Sequence, residues 1–237
     1  MNRVAKRKNE LSEGFEKYTF ENFLEESFSL LGNFIPDVIG ISALFCSNYR
    51  DLNPLTSLLK KTYPKSLIVC GGHLPSASYL RMYEDNLAVD AIAFGEGEIP
   101  LLELVGAIFS GKANEYLTES SCWVTKEKCQ PKSGFVPRDK AIVNLDEIPP
   151  FDLSILVFPD VYFNSTSYFF VIDSQAGVNE MFLFSTRGCP YHCVFCASQN
   201  VHGNKVRSYS VERIKSDIFY YHEQYNINRF IFYDDHF

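Results

Sequence analysis

Three cysteines within eight residues have the clearest chemistry in this sequence. Cys189, Cys193 and Cys196 form a Cys-x3-Cys-x2-Cys run directly after residues 185–188, Ser-Thr-Arg-Gly. Soft thiolates select iron–sulfur clusters, zinc or cuprous ions. A structural zinc site takes four protein ligands, and most ferredoxin-type clusters likewise use four cysteines. Three thiolates therefore favour a 4Fe–4S cluster in which one iron is left for a ligand that is not a protein side chain.

Two alternatives stay open for this run. The cysteines could be ordinary buried residues, which behave as small hydrophobes, although the clustering is unexpected with only seven cysteines in 237 residues. They could also hold zinc together with His192, but His192 is next to Cys193, which makes simultaneous ligation awkward. We interpret His192 as a loop residue. The remaining cysteines are interpreted as apolar fillers: Cys46, Cys70, Cys122 and Cys129.

Composition and charge exclude several classes of protein. The net charge of −7 argues against a nucleic-acid-binding surface, which needs clustered Lys and Arg. The charged N-terminus lacks the apolar core of a signal peptide. The most apolar stretch, residues 28–46, is interrupted by Asn33, Pro36 and Asp37, which argues against a membrane span. An odd cysteine count without a disulfide-scaffold pattern indicates a reducing cytosol, so we expect a cytoplasmic protein.

Strands and helices are predicted to alternate from residue 19 to residue 111, after a tail of residues 1–18. Continuous apolar runs predict strands that are buried on both faces: residues 38–42, 66–70 and 89–94. Apolar residues at helical spacing predict the helices: residues 20–31, a helix that opens at Pro54, residues 77–83, and a helix from Pro100 to Gly111. This alternation predicts a parallel sheet. The fold class is therefore α/β, with a Rossmann-like first half.

Residues 112–179 break the alternation and are predicted to form a linker with a hairpin. Short hairpin strands are indicated at residues 123–125, 133–134 and 141–143. The paired prolines Pro149 and Pro150 mark the connection to the next domain.

From residue 180 to residue 237 the alternation resumes. A strand at residues 181–184 delivers the cysteines at its carboxyl end, and Ser210 is predicted to cap the following helix. A further strand at residues 229–233 ends in Asp234 and Asp235.

The order of these segments resembles that of radical S-adenosylmethionine (radical SAM) enzymes with an N-terminal cobalamin-binding domain. The matching segments are DVIGIS (37–42), IVCGGHLPSA (68–77), VDAIAFGEGEIPLLEL (89–104), LDEIPPFDL (145–153), STRGCPYHCVFC (185–196) and RFIFYDDHF (229–237). The resemblance implies a partial cobalamin-binding Rossmann-like domain, followed by the first strand–helix–strand units of a radical SAM (β/α) barrel. Residues 197–237 are too few to complete such a barrel, so we expect a chain that is truncated at both ends.

The resemblance also implies the cofactors and their sites. The three cysteines would hold a 4Fe–4S cluster whose open iron binds the amino and carboxylate groups of S-adenosylmethionine. That cofactor would lie beside Phe195, at its adenine, and beside Asp234 and Asp235. Glycines at the carboxyl ends of parallel strands let backbone approach a ligand closely. The pocket for the cobalamin nucleotide tail would accordingly be lined by Ser42, Gly71, Gly72, Gly95, Glu96, Gly97 and Glu98.

The implied activity is radical chemistry on a small-molecule substrate. In such enzymes the reduced cluster cleaves S-adenosylmethionine to a 5′-deoxyadenosyl radical that abstracts hydrogen from an unactivated carbon. Cobalamin often relays a methyl group, and some members form rings instead. The expected partner is a reductant such as flavodoxin or ferredoxin. Two other classes stay open: a non-catalytic iron–sulfur- or zinc-binding module, and an electron-transfer protein, which the missing fourth cysteine disfavours.

Overall fold

The computed structural model describes residues 20–29, 31–130, 133–156 and 179–236. Within these ranges the chain forms two parallel β-arrangements with helices between their strands. The predicted tail, residues 1–18, lies outside the described residues. None of the described helices combines the length and apolar character that crossing a bilayer requires.

The first sheet has the strand order β1-β2-β3-β4. Its strands are β1 (Val38–Ser42), β2 (Leu67–Gly71), β3 (Ala91–Ala93) and β4 (Trp123–Val124). The first three run parallel, and β4 is antiparallel to β3. The accompanying helices are α1 (Phe20–Ser29), α2 (Tyr49–Thr62), α3 (His73–Glu84), α4 (Glu98–Phe109) and α5 (Ala113–Glu119). The predicted parallel α/β sheet is confirmed.

Helices cover both faces of the first sheet. On one face Ile68 and Ile92 pack against Met82 of α3, and on the other Val69 packs in the same cluster as Leu104 of α4. All five side chains are at most 3 % exposed. Burial of both faces is the physical reason why these strands read as continuous apolar runs.

Two sequence-based expectations for the first half were wrong. Helix α2 does not open at Pro54 but begins at Tyr49, directly after a 3₁₀ helix at Cys46–Asn48, so that Pro54 lies inside it. The expected hairpin is also absent from the described part of residues 112–179. Trp123 instead pairs with Ala93 of β3, and its side chain is 1 % exposed. Burial of this large ring on the first sheet accounts for the pairing.

The second arrangement pairs β5 (Glu180–Leu183) parallel with β8 (Arg229–Phe232). Between them lie β6 (Thr186–Arg187), α6 (Gln199–His202), β7 (Arg207–Ser208) and α7 (Val211–Tyr225). Strands β6 and β7 form a short antiparallel ribbon in which Arg187 pairs with Arg207. The predicted strands on either side of the cysteines are confirmed. So is the cap, because the Ser210 Oγ accepts a hydrogen bond from the Arg213 N–H at 3.1 Å.

Part of the predicted linker packs against α7. The Ser210 N–H donates to Asp146 Oδ1 at 2.9 Å, and the Tyr221 hydroxyl donates to the Phe151 carbonyl at 3.1 Å. Residues 145–153 are thereby tied to the start and the buried face of α7. The domain boundaries proposed from the sequence stay predictions.

Candidate functional site

The cysteine loop, residues 188–198, leaves the carboxyl end of the second arrangement. Cys193 and Cys196 are exposed and Cys189 is partly buried, and none of the seven cysteines forms a disulfide. At the tip of the loop Phe195 is 89 % exposed. No three His, Cys, Asp or Glu side chains in the described ranges gather in metal-binding geometry. The donor set still fits a thiolate-held cluster, because three soft ligands lie on one exposed loop.

Close backbone packing fixes the base of this loop. Gly188 has φ +91°, and a Cβ there would collide with the Lys205 carbonyl oxygen. The Cys189 N–H donates to the Gly203 carbonyl at 3.3 Å. Only glycine adopts such a conformation at this approach without strain. The residue before the first cysteine therefore serves the shape of the loop.

The two aspartates after β8 hold the two ends of the cysteine loop. Asp234 accepts hydrogen bonds from the backbone N–H groups of Ser185 and Thr186 at 2.6 and 2.7 Å, and from both hydroxyls at 3.0 and 3.1 Å. Asp235 accepts a hydrogen bond from the Ser198 hydroxyl, two residues after Cys196. The Ser198 N–H points to the Cys196 sulfur at 3.5 Å. Both carboxylates thus bind residues that flank the cysteines, Asp234 before Cys189 and Asp235 after Cys196.

The carboxyl edge of the first sheet presents the predicted glycine turns. Ser42 is exposed at the end of β1. Gly71 lies next to Gly72, which has φ +107° and whose Cβ would lie 2.7 Å from the Ala43 carbonyl oxygen. A Cβ on Gly97, in contrast, would meet no atom within 4 Å. Gly97 is therefore the turn glycine with open space beside it.

Glu96 is a carboxylate at this edge with several hydrogen-bond and ion-pair partners, and its side chain is 1 % exposed. Arg207 donates to both of its oxygens, at 2.5 and 3.0 Å, and Arg187 lies 3.4 Å away. His202 Nδ1 is 2.9 Å from Oε1, and the Ile142 N–H donates to Oε2 at 3.2 Å. Groups from four separate segments thus converge on one buried carboxylate.

The charge state of this cluster follows from its surroundings. Burial alone would raise the pKa of Glu96, but the hydrogen bonds of His202 and Arg207 and the charges of Arg187 and Arg207 lower that pKa to about 2. An ionised carboxylate only accepts hydrogen bonds, so the hydrogen of His202 is on Nδ1. Arg187 also reaches Glu98 at 2.7 Å, which gives two arginines and two glutamates in contact.

The carboxyl edges of the two arrangements meet around this cluster. The ring of His73, at the start of α3, contacts the ring of His202 edge-on with centroids 5.4 Å apart. Burial lowers the pKa of His73, His202 lowers it further, and Asp235 opposes the shift. A Cβ on Gly95 would lie 2.5 Å from the Asp139 Cβ and 3.6 Å from the Val201 carbonyl oxygen. Residues 95–98, the Gly-Glu-Gly-Glu turn, therefore adjoin the segment that closes the cysteine loop.

The structure brings part of the predicted site together and adds residues to it. Glu96, Glu98 and Asp235 lie beside the cysteine loop, whereas Ser42 and Gly72 lie along the edge of β1 and β2. Sequence reasoning assigned no site role to the following residues: His73, Arg187, Ser198, His202 and Arg207. Two of them carried a local signal: Arg187 lies two positions before the first cysteine, and His73 directly follows Gly72 at a predicted strand end.

Comparison with known proteins matches residues 17–105 to the B12 binding domain family. The chain is 31 % identical to the uncharacterized methyltransferase PH0819 of Pyrococcus horikoshii, over 88 % of this chain and 41 % of that protein. The structure of OxsB, a cobalamin-dependent S-adenosylmethionine radical enzyme with aqua-cobalamin and S-adenosylmethionine bound, superposes with a TM-score of 0.64 at 21 % identity, over 90 % of this chain and 27 % of that one. The radical S-adenosylmethionine methyltransferase TsrM from Kitasatospora setae, with cobalamin and a [4Fe-4S] cluster bound, gives a TM-score of 0.58 at 16 % identity, over 91 % of this chain and 40 % of that one. At these identities the two structures establish a shared fold.

Proposed function

We propose that the chain is part of a radical SAM protein with an N-terminal cobalamin-binding domain, and that it binds a 4Fe–4S cluster, S-adenosylmethionine and cobalamin for methyl transfer or related C–H chemistry on a small-molecule substrate. The observation that carries this proposal is the meeting of the two carboxyl edges, which puts the cysteine loop beside the Gly-Glu-Gly-Glu turn. Ligands of such folds bind at carboxyl ends of strands, so facing edges suit cofactors that act together.

The cysteine loop is the proposed cluster site. Cys189, Cys193 and Cys196 would supply three thiolates, and the exposed ring of Phe195 is free to lie on an adenine. Asp234 and Asp235 would border S-adenosylmethionine mainly by holding the ends of the loop, because their carboxylates are engaged with Ser185, Thr186 and Ser198.

The edge of the first sheet is the proposed cobalamin site. The nucleotide tail would bind close to the backbone at Ser42, Gly71, Gly72 and the open side of Gly97. The side chains just after β1 add apolar surface, with Leu44 50 % and Phe45 61 % exposed. Gly95, Glu96 and Glu98 form the far side of this pocket, where the glutamates pair with arginines of the second arrangement.

The chain's own residues bind and orient these groups. When bound, the cluster with S-adenosylmethionine supplies radical chemistry and cobalamin supplies a methyl carrier. The protein contributes thiolates on a braced loop, backbone at the glycine turns and a fixed junction between them. Free thiols suit a reducing compartment such as the cytosol, and the proposed electron donor is a flavodoxin or ferredoxin.

Anaerobic reconstitution with iron and sulfide tests the central claim. We expect about four irons and four sulfides per chain, as a cubane requires, and we expect Cys189→Ala, Cys193→Ala or Cys196→Ala each to lose the visible charge-transfer absorption. Cys46→Ala, which removes an exposed thiol outside the motif, is the matched control and should leave the absorption unchanged.

The same experiment separates the alternatives. Stoichiometric zinc in the purified chain with no uptake of iron would contradict the cluster and favour a zinc-binding module. If the cluster forms, an electron paramagnetic resonance signal that shifts on addition of S-adenosylmethionine supports an open iron. An unchanged signal would leave an iron–sulfur-binding module without the cofactor site.

A further inference from the structure

The cysteine loop has a base in which two arginines face each other. Arg187 lies at the end of β6, two residues before Cys189, and pairs in the β-ribbon with Arg207 of β7. Their side chains are 18 % and 10 % exposed, and both reach Glu96, which belongs to the first sheet's edge rather than to the loop. Two residues that lie on either side of the loop in the chain therefore share one anchor outside it.

Charge balance makes this anchor hard to replace. Arg187 and Arg207 are balanced by Glu96 and Glu98, of which only Glu96 is buried. Without the Glu96 carboxylate, the partners that Arg207 keeps among the described residues are two carbonyl groups, those of Ile142 at 2.5 Å and His202 at 3.2 Å. Removing the ion-pair partner of a mostly buried cation leaves an uncompensated buried charge, which strongly destabilises that conformation. The ribbon is then expected to move out toward water.

Movement of the ribbon would carry the first cysteine with it. Gly188 is packed against the Lys205 carbonyl oxygen, and the Cys189 N–H bonds to Gly203, so the two sides of the loop move together. His202, which closes the loop, holds the same carboxylate through Nδ1. The anchor thus acts on both sides of the loop at once.

We propose that Glu96 is a positioning residue that fixes the cysteine loop against the carboxyl edge of the first sheet. Its consequence for cofactors rests on the proposed function, since it presumes that the loop holds a cluster. The contact itself is measurable in the chain without any cofactor, so that the two proposals can fail separately.

Hydrogen exchange and thiol alkylation in the cofactor-free chain test the contact. For Glu96→Gln we expect amide exchange within residues 185–208 to rise by about tenfold or more, the change that corresponds to about 1.4 kcal/mol of local opening free energy. Alkylation of Cys189 by iodoacetamide should speed up in parallel, while amides of β2 keep their protection. The matched control is Glu103→Gln, which removes a carboxylate paired with Lys140 and Tyr116 away from the loop.

A second variant covers the case in which Glu96→Gln does not fold. Arg207→Lys keeps the charge but loses the two-pronged guanidinium contact, so a smaller rise in exchange confined to the same segment is expected. Exchange over residues 185–208 that equals wild type in the folded variants, or a rise spread equally over β1–β3, would overturn the positioning role.

Reconstitution then shows the consequence for the cluster. Glu96→Gln keeps all three thiols, so it should still take up about four irons per chain. Its electron paramagnetic resonance lines should be broader than those of wild type, because a loosened loop samples more orientations. Unchanged lines together with raised exchange would show that the cluster itself sets the loop, against the positioning role. A wild-type chain that takes up no iron contradicts the proposed function and leaves the exchange result standing.

Discussion

Gly72 and Gly97 lie at the same sheet edge but are glycine for different reasons. Gly72 has φ +107°, and its Cβ would meet the Ala43 carbonyl oxygen at 2.7 Å, so the backbone itself requires glycine there. Gly97 has φ −93°, which any residue adopts, and open space lies beside it. A side chain at position 97 is therefore compatible with the fold and would occupy only the space proposed for a ligand.

Gly97→Val is expected to weaken cobalamin binding without unfolding the chain. A β-branched side chain would keep the nucleotide tail away from the backbone, and loss of about 1.4 kcal/mol of contact is already a tenfold loss of affinity. Equilibrium dialysis with hydroxocobalamin measures the change.

Gly106→Val is the matched control for that experiment. Gly106 lies on the exposed side of α4, and its Cβ also meets nothing within 4 Å, but it is more than two turns further along the helix. We expect this variant to bind as wild type does. Equal, tight binding by wild type and Gly97→Val would show that the pocket lies elsewhere.

The site residues that could be recognised from the sequence are those whose role is indicated by their immediate neighbours in the chain. The cysteines carry their chemistry in their own spacing, and the glycines lie at predicted strand ends. Glu96 could be noted only as part of a turn, because its partners His202 and Arg207 are 106 and 111 residues away in the chain. No pattern in a single sequence connects residues at such separations.

At the scale of elements, the start of α7 shows how a predicted feature gains a distant partner. Ser210 was predicted as the cap, and its Oγ accepts from the Arg213 N–H. The structure adds Asp146, whose Oδ1 accepts from the Ser210 N–H and whose carbonyl accepts from the Arg213 guanidinium at 2.9 Å. The hydrogen bonds to the Ser210 backbone and side chain hold the pKa of Asp146 below its usual range. The linker therefore helps to begin this helix.

Ser210→Ala should lower the free energy of unfolding by about 1 kcal/mol, the usual effect of losing a helix cap. Urea unfolding followed by circular dichroism measures it, and the fluorescence of Trp123, the single tryptophan, reports on the first sheet in the same samples. Ser57→Ala, at an exposed position inside α2, is the control and should be neutral or slightly stabilising because alanine favours helix. Equal effects of the two substitutions would argue against the cap.

The hairpin prediction failed because short apolar runs do not specify their partners. Residues 123–125 and 141–143 have similar patterns, but Trp123 and Val124 pair with β3 while the Ile142 N–H donates to Glu96. Burial against the first sheet determines which of the two runs forms a strand, and the sequence of a short run does not indicate its pairing partner. The long alternation of residues 38–109 was predictable since each strand is bounded by a helix of its own.

At the scale of the whole molecule, the junction between the two arrangements includes a buried ionised carboxylate, that of Glu96. The pKa of Glu96 is about 2, below the ordinary value of 4.5. A carboxyl group whose pKa is lower when folded stabilises the fold above its unfolded pKa, and that stabilisation is lost as the pH falls through the folded pKa. The stabilisation that Glu96 contributes should therefore be complete at neutral pH and be lost progressively between about pH 4.5 and about pH 2.

Comparison of wild type with Glu96→Gln isolates this contribution from that of other carboxylates. A pKa that falls from 4.5 to about 2 on folding corresponds to about 3 kcal/mol of unfolding free energy at neutral pH. The difference in unfolding free energy between the two proteins should shrink by about 2 kcal/mol from pH 6 to pH 3, because most of that range of protonation has then been crossed. Urea unfolding at both pH values measures it. The control is Glu103→Gln, which removes a partly exposed carboxylate. Its difference in unfolding free energy from wild type should change less between the two pH values. Parallel pH profiles of the unfolding free energy for wild type and Glu96→Gln would mean that the ionised Glu96 carboxylate does not stabilise the fold.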